Sequence, residues 1–386
     1  MKKYVFLSNS PKPSSEEQNS RDKIELTNVS RPCLEAALNL GYDVYFGVNR
    51  SKPENLTCEL DIHLYDSHTY RSLLDFKSNF IAYSNLMKLL KSGEFEVIHC
   101  NTPIGGVIGR LCGKHAKIKK VIYTAHGFHF YKGAPLINRT VFKWAEQIMA
   151  RYTDAIITMN REDYEAAQKF KLRNKKKVYY LPGVGIDTKA YKDIRIDKDM
   201  LRQSLDLKDS DTVLISMGDL IKRKNYESSI KAVAKSNNNN IHFLICGVGP
   251  ELENLKNLCK KLNVEQQIHF LGFRKDVKEL LQIADIFLFT TFQEGLPRSM
   301  MEAMASGLPC IASRIRGNVD LIEEMKGGYL RAPDDIEGIS KCINSLVNDT
   351  GLRNRMAVSN LETIKQFDIE HVKAMIQKIY IDILGD

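Results

Sequence analysis

Short apolar stretches alternate with amphipathic stretches along the chain, and this alternation limits the fold more than any other feature. In the first half, the stretches that predict strands are KKYVFLSN, YDVYFGVN, EVIHCN, KVIYTAHG, DAIITMN and KVYYLPG. Helical patterns fill most of the gaps between them, at Asn28–Leu40, Phe80–Lys91, Gly105–Lys117, Pro135–Tyr152 and Glu162–Phe170. Strands that alternate with helices predict parallel sheets and therefore an α/β protein.

The alternation starts again in the second half, with the stretches TVLISMGD, IHFLICGVG, QIHFLGF, DIFLFTT, PCIAS and GGYLRA. Two successive series predict two Rossmann-like domains, and 386 residues are enough for both to have their own cores. We place the first domain at residues 1–186 and the second at residues 187–370, with an irregular polar stretch, Lys192–Asp199, near the boundary. A terminal helix at His371–Leu384, within the segment 371–386, closes the chain and can cross back to the first domain.

The chain carries a formal net charge of +9, and the excess lies in the first half. Residues 1–190 hold 29 Lys and Arg against 19 Asp and Glu, whereas residues 191–386 hold 27 against 28. Such an asymmetry indicates that one half meets an anionic partner. Nucleic acid, a phospholipid surface and a phosphorylated lipid all qualify, and the alternative is a solvated basic face.

Several classes of protein are disfavoured by the sequence. The eight cysteines are scattered without CxxC spacing, which disfavours structural zinc and favours reduced core thiols. The opening MKKYVFLSNSPKP predicts a strand broken by Pro11 rather than a signal peptide, and no window approaches the ~18–20 apolar residues of a membrane span. No recognisable nucleic-acid module accompanies the charge. We therefore expect a cytoplasmic protein, peripheral on the inner face of the cell membrane, with no nucleic-acid partner.

The segment TTFQEGLPRSMMEAMASG places two carboxylates, Glu294 and Glu302, eight positions apart. The preceding DIFLFTTF predicts a strand, and Pro297 suits the first turn of a helix, so that Glu294 lies in the turn and Glu302 in the helix. The free amides around Gly295–Arg298 predict an anion site at the positive end of the helix dipole. Glu302 could accept two hydrogen bonds from a ribose diol, and Glu294 could bind other hydroxyls. The alternative is that both acids only favour a helix N-terminus.

Two glycine-containing strand ends in the second half are weaker signals. SMGDLIKRKN leaves a strand at Gly218 and then offers Arg223 and Lys224, whose charges could meet a phosphate at the same site. ICGVGPE leaves another strand through Gly247 and Gly249 into a helix. Ligands of open α/β sheets bind at such strand ends, but turns of this kind are also common for geometric reasons alone.

Taken together, these segments resemble the family-4 retaining glycosyltransferases, which have the GT-B fold of two Rossmann-like domains facing a central cleft. FQEGLPRSMMEAMASGLPCIAS is similar to the family's E-x7-E signature, YTAHGFHFYKG to its first-domain His loop, LPGVGIDTKAY to its interdomain segment and GDLIKRKN to its diphosphate-binding loop. ICGVGPELENLKNLCKKLNVEQQIHFLGFRKDV resembles the nucleobase region, and IRGNVDLI follows as in many relatives. The set is most similar to bacterial transferases that build capsular, exopolysaccharide or lipid-linked glycans.

The resemblance implies roles for residues at matching positions. Glu294 would contact the donor sugar's hydroxyls, and His126 would face the same sugar. Arg223 and Lys224 would neutralise the diphosphate leaving group. The other implied donor-binding residues are Glu302 on the ribose, Gly295 and Leu296 on the phosphate through their amides, Gly218 and Gly247 at the strand ends, and Gly272, Phe273 and Arg274 on the base. His129 fits a core or loop-bracing role as well as a catalytic one.

Two positions depart from the family pattern. Asp219 stands where relatives commonly carry Arg, so the positive charge for the phosphates rests on Arg223 and Lys224. The segment after the first strand, NSPKPSSEEQNSRDK, contains no glycine, although relatives often have a Gly-Gly loop there. That loop usually helps to admit the acceptor, so the acceptor geometry of relatives does not transfer to this chain.

The expected mechanism is front-face substitution through an oxocarbenium-like state, with the leaving diphosphate helping to deprotonate the incoming hydroxyl. The protein's part is then electrostatic, through Lys224, Arg223 and helix amides that stabilise developing negative charge. Neither a cofactor nor a metal is expected. The single Asp-x-Asp, Asp197–Asp199, is predicted to be only a solvated loop.

A basic segment of the first half fits a membrane-facing helix. APLINRTVFKWAEQIMARY places Trp144 among apolar residues and Arg139, Lys143 and Arg151 among basic ones. A second basic cluster follows and includes Lys175, Lys176 and Lys177. Such surfaces bind anionic membranes with about 1 kcal/mol per basic residue near the surface, and a polyprenyl-diphosphate-linked acceptor would lie at that interface. The alternative is that Trp144 and its neighbours cover the first domain's sheet.

The sequence therefore predicts a retaining hexosyl- or N-acetylhexosaminyltransferase. Its donor would be a nucleotide-sugar, in the first place a UDP-sugar, and its acceptor a lipid-linked glycan or oligosaccharide. Two alternatives stay open, namely a GT-B nucleotide-sugar epimerase, which needs no acceptor, and a non-catalytic partner subunit. No motif identifies the sugar, the acceptor or the linkage, and guanosine and adenosine remain open as bases.

Overall fold

The structure is a computed structural model that describes residues 2–19, 21–70, 72, 74–101, 103–174, 177–192 and 194–385. The chain divides into two compact units. Unit 1 consists of Met1–Gly185 together with Glu370–Asp386, and unit 2 consists of Ile186–Ile369.

The strands and helices alternate as follows. The strands, in chain order, are β1 (Lys3–Leu7), β2 (Lys23–Ile24), β3 (Asp43–Val48), β4 (Thr57–Cys58), β5 (His63–Asp66), β6 (Phe95–Asn101), β7 (Lys120–Ala125), β8 (Ala155–Thr158), β9 (Lys177–Tyr180), β10 (Thr212–Met217), β11 (Ile241–Cys246), β12 (Ile268–Gly272), β13 (Ile286–Phe289), β14 (Cys310–Ser313) and β15 (Gly328–Arg331). The α-helices, in chain order, are α1 (Ser15–Asn19), α2 (Arg31–Asn39), α3 (Phe76–Lys91), α4 (Pro103–His115), α5 (Lys143–Ala150), α6 (Arg161–Ala167), α7 (Lys198–Gln203), α8 (Tyr226–Ser236), α9 (Leu252–Leu262), α10 (Val277–Ile283), α11 (Arg298–Ala305), α12 (Asn318–Leu321), α13 (Ile336–Asn348), α14 (Thr350–Thr363) and α15 (Ile369–Leu384). A π-helical stretch lies at Asn138–Phe142, and 3-10 turns lie at Pro53–Asn55, Lys189–Tyr191, Lys222–Lys224 and Ile364–Phe367.

Unit 1 is built on a seven-stranded parallel sheet with the order β5-β3-β1-β6-β7-β8-β9. Successive side chains of a strand point to opposite faces. Val5 and Leu7 of β1 accordingly pack in one buried cluster with residues of α3 and α4, whereas Tyr4 and Phe6 pack in another with residues of α2 and α15. Because both faces are covered, the strands are apolar runs rather than alternating ones.

Unit 2 has a six-stranded parallel sheet with the order β12-β11-β10-β13-β14-β15. The chain first adds strands on one side of β10 and then returns to add β13, β14 and β15 on the other side. The strand order therefore reverses between β10 and β13. In open α/β sheets, ligands bind at the carboxyl ends of the strands that flank such a reversal.

The last helix, α15, belongs to the core of unit 1. The Tyr380 hydroxyl lies 2.7 Å from the Tyr4 hydroxyl and 2.6 Å from Nδ1 of His99. Nε2 of His99 lies 2.7 Å from Oγ1 of Thr124, so both ring nitrogens have partners. Burial lowers the pKa of His99 to about 3, and the ring is neutral at ordinary pH. This buried network fastens α15 to β1 and β6.

The predicted α/β fold with two Rossmann-like halves is confirmed, and every strand that the sequence predicted is present. The sequence did not predict β2, β4 or β5, because the first two are only two residues long and HLYD is a four-residue strand whose apolar signal is weak. Two local predictions are wrong. Pro297 precedes α11 instead of lying in its first turn, since its ψ is 116°. Asp197 is the N-cap of α7 and Asp199 lies in its first turn, so the Asp-x-Asp is solvated as predicted but is not a loop. Oδ1 of Asp197 accepts a hydrogen bond from the Met200 amide at 2.9 Å.

Candidate functional site

The turn after β13 holds the Glu294 carboxylate among positive charges. Its Oε1 accepts hydrogen bonds from Nζ of Lys224 at 2.8 Å, from Oγ1 of Thr291 at 2.9 Å and from Nη1 of Arg223 at 3.2 Å. The side chains of Glu294 and Lys224 are each 12% exposed, whereas that of Arg223 is 41% exposed. A carboxylate and two cations therefore converge at the carboxyl ends of β10 and β13, where the strand order reverses.

Backbone contacts hold the two loops of this site together. Asn225 follows the 3-10 turn Lys222–Lys224 in a left-handed conformation, with φ of 51°. Its side-chain amide donates hydrogen bonds to the carbonyls of Thr290 at 3.0 Å and Pro333 at 2.8 Å. The Phe292 amide donates to the Arg223 carbonyl at 2.9 Å. Lys224 and Glu294 are thus fixed by the backbones that carry them as well as by each other.

Two glycines at strand ends are required by close backbone approach. A Cβ atom on Gly247 would lie 2.0 Å from the Gly218 carbonyl oxygen, and one on Gly249 would lie 2.4 Å from the Leu220 carbonyl oxygen. A side chain on either glycine would push the end of β10 away from the end of β11. Close packing of the two strand ends therefore explains why both positions are glycine, independently of any contact with a ligand.

Glu302 lies in the middle of α11 and also has partners. Nε of Arg298 donates a hydrogen bond to its Oε1 at 2.8 Å, and the Tyr191 hydroxyl forms a second contact. Burial, together with the charge of Glu302, raises the pKa of Tyr191. Arg298 is the first residue of the helix, so Glu302 lies one turn inside it, as the sequence predicts.

The segment predicted to hold a base begins where β12 ends. The Gly247 amide donates a hydrogen bond to the Gly272 carbonyl at 2.8 Å, which joins the ends of β11 and β12. Phe273 is 73% exposed. Arg274 forms an ion pair with Asp276, and Nε of Arg274 donates to Oδ1 of Asp276 at 2.7 Å. The Arg274 charge is thus engaged by a neighbour two residues along the chain.

Arg316 is a residue of this site to which the sequence interpretation assigned no role. It is only 5% exposed, and its Nε donates a hydrogen bond to the Glu294 carbonyl at 3.1 Å. The adjacent Gly317 has φ of 83°, and a Cβ atom there would lie 2.4 Å from the Gly295 carbonyl oxygen. The segment after β14 therefore packs directly on the Glu294 turn. In the sequence, only the IRGN tetrapeptide points to Arg316. It predicts no contact with the Glu294 turn, because an arginine in a loop is usually solvated.

His126 lies directly after β7 in unit 1. Within the described residues, its buried Nε2 has no hydrogen-bond partner. Burial lowers the pKa of His126 to about 4, so the imidazole is neutral at ordinary pH. His129, three residues on, stacks on Phe142 with ring centroids 5.3 Å apart, and its carbonyl accepts from the Asn138 side chain at 3.0 Å. His129 thus braces the loop against the π-helical stretch.

The predicted amphipathic helix is a continuous helical run from 136 to 150, formed by the π-helical stretch and α5. Ile137, Val141 and Trp144 are 63%, 54% and 65% exposed, so the idea that Trp144 covers the sheet is wrong. Arg139 and Lys143 are exposed on the same run. Arg151 is exposed just beyond its end.

A buried ion pair fixes the orientation of this run. Nη1 and Nη2 of Arg110 on α4 donate hydrogen bonds to the two carboxylate oxygens of Glu146 on α5, at 2.7 and 3.2 Å. The Arg110 side chain is completely buried, and its guanidinium lies 4.0 Å from the centre of the Tyr123 ring. The face of α5 that carries Glu146 is therefore held against unit 1, and Trp144 points away from it.

The second basic cluster is only partly described. Lys175 and Lys176 lie outside the described residues. Lys177 belongs to β9 and forms an ion pair with Asp382 on α15 at 3.6 Å, so its charge is engaged within unit 1.

The described residues contain neither a metal-ligand cluster nor a membrane span. No group of three or more His, Cys, Asp or Glu side chains there is arranged to hold a metal ion. No helix in the same part of the chain is long and apolar enough to cross a membrane.

Comparison with known proteins identifies the class. Residues 33–188 match the family model Glycosyltransferase Family 4, and residues 197–360 match the model Glycosyl transferases group 1. The putative glycosyltransferase EpsD of Bacillus subtilis is 31% identical over 294 residues, covering 75% of this chain and 77% of EpsD. The UDP-Gal:alpha-D-GlcNAc-diphosphoundecaprenol alpha-1,3-galactosyltransferase of Escherichia coli is 28% identical over 305 residues, covering 78% of this chain and 79% of that protein. The crystal structure of Anabaena HepE in complex with UDP has the same fold, with a TM-score of 0.75 at 19% identity over 98% of this chain and all of HepE.

The two parallel α/β units have the GT-B fold. The chain belongs to the family-4 glycosyltransferases, and it is an enzyme of that kind.

Proposed function

We propose that this enzyme transfers a sugar, with retention of configuration, from a UDP-sugar to a polyprenyl-diphosphate-linked glycan acceptor. The product would be a hexose or N-acetylhexosamine linkage in a capsule, an exopolysaccharide or another lipid-linked glycan. The observation that carries the proposal is the Glu294 carboxylate held by Lys224 and Arg223 at the strand-order reversal of unit 2. That arrangement offers one group for sugar hydroxyls beside two charges for a diphosphate.

The donor would be held by groups of unit 2. The amides of Gly295 and Leu296, just before α11, would bind the phosphate, and Glu302 would accept hydrogen bonds from the ribose hydroxyls. Binding at these groups requires rearrangement of two existing contacts. The ribose would compete with Arg298 and Tyr191 for Glu302, and the diphosphate would compete with Glu294 for Lys224.

The base and strand-end positions complete the proposed donor site. Gly272, Phe273 and Arg274 would contact the base, with the exposed Phe273 ring available for stacking. Gly218 and Gly247, at the ends of β10 and β11, would let the backbone approach the donor closely.

In the proposed reaction, the bond between the anomeric carbon and the diphosphate oxygen breaks, and a new bond to the acceptor oxygen forms on the same face. The acceptor proton passes to the departing diphosphate, so no protein base is needed. Lys224 and Arg223 would stabilise the charge that develops on the diphosphate. His126, neutral because of its lowered pKa, would bind the donor sugar through its unpartnered Nε2. Retention is tested by the anomeric configuration of the product, and an inverted product would exclude this step.

The acceptor proposal rests on the relatives and on the surface of unit 1. The Escherichia coli relative is named for a diphosphoundecaprenol acceptor and a UDP-Gal donor, and HepE was crystallised with UDP. The exposed ridge of Ile137, Val141 and Trp144, with Arg139 and Lys143 beside it, suits an anionic membrane surface. We therefore place the enzyme on the inner face of the cell membrane, where a polyprenyl-linked acceptor would meet a cytoplasmic nucleotide-sugar.

The experiment that tests the donor site is calorimetric titration of the purified enzyme with UDP, GDP and ADP in the presence of EDTA. We expect UDP alone to bind tightly and without metal, because the charges at the site come from Lys224 and Arg223. Preferential binding of GDP or ADP would show that the donor base is wrong. Failure of all three to bind would contradict the Glu294–Glu302 donor site.

A further inference from the structure

Unit 1 contains a groove that the donor site does not use. It lies between the helical run 136–150 and α6, beside the loop that follows His126, and it has a volume of about 520 Å³. Its floor is apolar and includes Phe130, Ala166 and Phe170. The ring centroids of Phe130 and Phe170 are 6.1 Å apart, and Phe128 stacks on Phe130 at 4.8 Å. We call this the α5–α6 groove, and its packed aromatic floor makes it a preformed site.

The charged residues of the groove are mainly positive. Four cations line it, namely Lys132, Arg139, Lys143 and Lys169, against one carboxylate, Glu162. Glu162 accepts a hydrogen bond from the backbone amide of Lys132 at 2.7 Å, so it braces the loop. None of the four cationic side chains forms an ion pair within the described part of the chain. The groove therefore combines an apolar floor with a net positive rim.

The helical run presents two different faces side by side. Leu136, Arg139, Lys143 and Gln147 line the groove, and their spacing of three to four residues places them on one face. Ile137, Val141 and Trp144 are also three to four residues apart, and they form the exposed apolar ridge. The groove therefore opens next to the surface that would meet a membrane.

We propose that the α5–α6 groove binds the diphosphate and the first isoprene units of the acceptor lipid. This inference rests on the proposed lipid-linked acceptor and assigns it a site. The cations on the rim match the charge of a diphosphate, and the aromatic floor matches a branched hydrocarbon chain. The rest of the chain would leave along the ridge into the bilayer. A free diphosphate shares only the first of these two interactions, and a hydrocarbon alcohol shares only the second.

The test uses farnesyl diphosphate as a water-soluble probe, titrated into the full chain with UDP present to occupy the donor site. Trp144 is the only tryptophan of the chain and lies on the helical run, so its fluorescence reports the binding. We expect farnesyl diphosphate to bind about tenfold or more tightly than inorganic diphosphate or farnesol, since it uses both parts of the groove.

Two variants separate the two parts. Lys143→Gln with Lys169→Gln should weaken farnesyl diphosphate binding by about tenfold or more, since two of the four positive charges that line the groove are lost. Ala166→Phe fills the floor and should weaken farnesyl diphosphate while leaving inorganic diphosphate unchanged. The matched control is Lys88→Gln with Lys91→Gln, two exposed lysines of α3 that do not line the groove. The control should change binding by less than about twofold.

Equal binding of farnesyl diphosphate and inorganic diphosphate would overturn the proposal, and so would an equal loss in the control. The donor site is judged separately by its own nucleotide titration. If UDP binds and farnesyl diphosphate does not, the groove proposal fails and the donor proposal stands. If UDP does not bind, the probe titration is repeated without it, and the groove is judged on that result.

Discussion

At the scale of single residues, the proposed donor site contains two carboxylates that already have cationic partners. Glu294 is held by Lys224 and Glu302 by Arg298, at the same distance of 2.8 Å. The Lys224–Glu294 pair is largely shielded from solvent and should be the stronger of the two, because the Arg298 side chain is 63% exposed. A bound donor must replace these partners. Because Glu302 would bind the ribose and Glu294 the sugar, neutralising each acid should affect a different step.

We predict that Glu302→Gln weakens UDP binding by about tenfold, because a charge-assisted hydrogen bond to the ribose is worth roughly 1.5–3 kcal/mol. Glu294→Gln should not weaken UDP binding, because it frees Lys224 for the diphosphate. It should lower the rate of sugar transfer by about 100-fold, since Glu294 would act on the sugar in the transition state. Calorimetry gives the first value and a transfer assay the second.

The control for this pair is Glu253→Gln, an exposed acid on α9 whose side chain is 75% accessible. It should change neither quantity. Equal and small losses of UDP binding in Glu294→Gln and Glu302→Gln would mean that both acids only stabilise the start of α11.

Single residues also show which parts of the site can be predicted from the sequence and which cannot. Glu294, Lys224 and Arg223 could be grouped from the sequence because each follows a predicted strand, and parallel strands end at one edge of a sheet. Arg316 could not be grouped in this way. Its role depends on its burial and on its hydrogen bond to the Glu294 carbonyl, and neither produces a periodic pattern in the sequence.

At the scale of elements, the helical run 136–150 depends on one buried ion pair. The helix itself is predictable, because its apolar and basic residues recur at helical spacing. The π-helical stretch and the pairing of Arg110 with Glu146 are not, because they arise from packing between α4 and α5. The same packing decides that Trp144 faces outwards, a point on which the sequence left two alternatives.

We predict that Glu146→Leu destabilises unit 1 by about 3 kcal/mol, because it leaves the Arg110 charge buried and unpaired. The double variant Arg110→Met with Glu146→Leu should recover most of this loss, since no unpaired charge remains. Urea unfolding followed by Trp144 fluorescence measures both, because Trp144 lies on the same helix as Glu146.

The matched control is Glu227→Gln, which breaks an exposed ion pair with Lys231 on α8. That change should cost less than about 1 kcal/mol. If the Glu146→Leu and double variants are equally unstable, the pair acts through packing and not through charge.

At the scale of the whole molecule, charge is divided unequally along the chain. The first 190 residues carry an excess of ten positive charges, whereas the remaining residues carry an excess of one negative charge. Of the eight large apolar side chains exposed in the described part of unit 1, seven lie on two segments, at 74–80 and 136–144. Within unit 1, most of the exposed large apolar side chains therefore lie on two short segments of the half that carries the positive charge.

We predict that the enzyme binds vesicles containing anionic phospholipid and binds neutral vesicles much more weakly, with the difference lost at high salt. Ile137→Ser with Val141→Ser should reduce binding by about tenfold, since both side chains would enter the interface. Co-sedimentation with vesicles measures the bound fraction.

Met200→Ser with Val358→Ser provides the control, because these exposed apolar residues lie in unit 2 at 67% and 69% exposure. Binding that is independent of lipid charge, or reduced equally by the control, would exclude a membrane surface on the helical run 136–150.

The placement of α15 has a consequence for how the polypeptide is made. Tyr380 completes a hydrogen-bonded network with Tyr4 and His99, so the core of unit 1 needs a segment that follows the whole of unit 2. On the ribosome, unit 2 can fold as soon as it emerges, whereas unit 1 lacks α15 and keeps part of one sheet face open until α15 is made. The half of the protein that is translated first is therefore the half that is completed last. Expression of residues 1–185 alone would leave the α15 part of that apolar face uncovered.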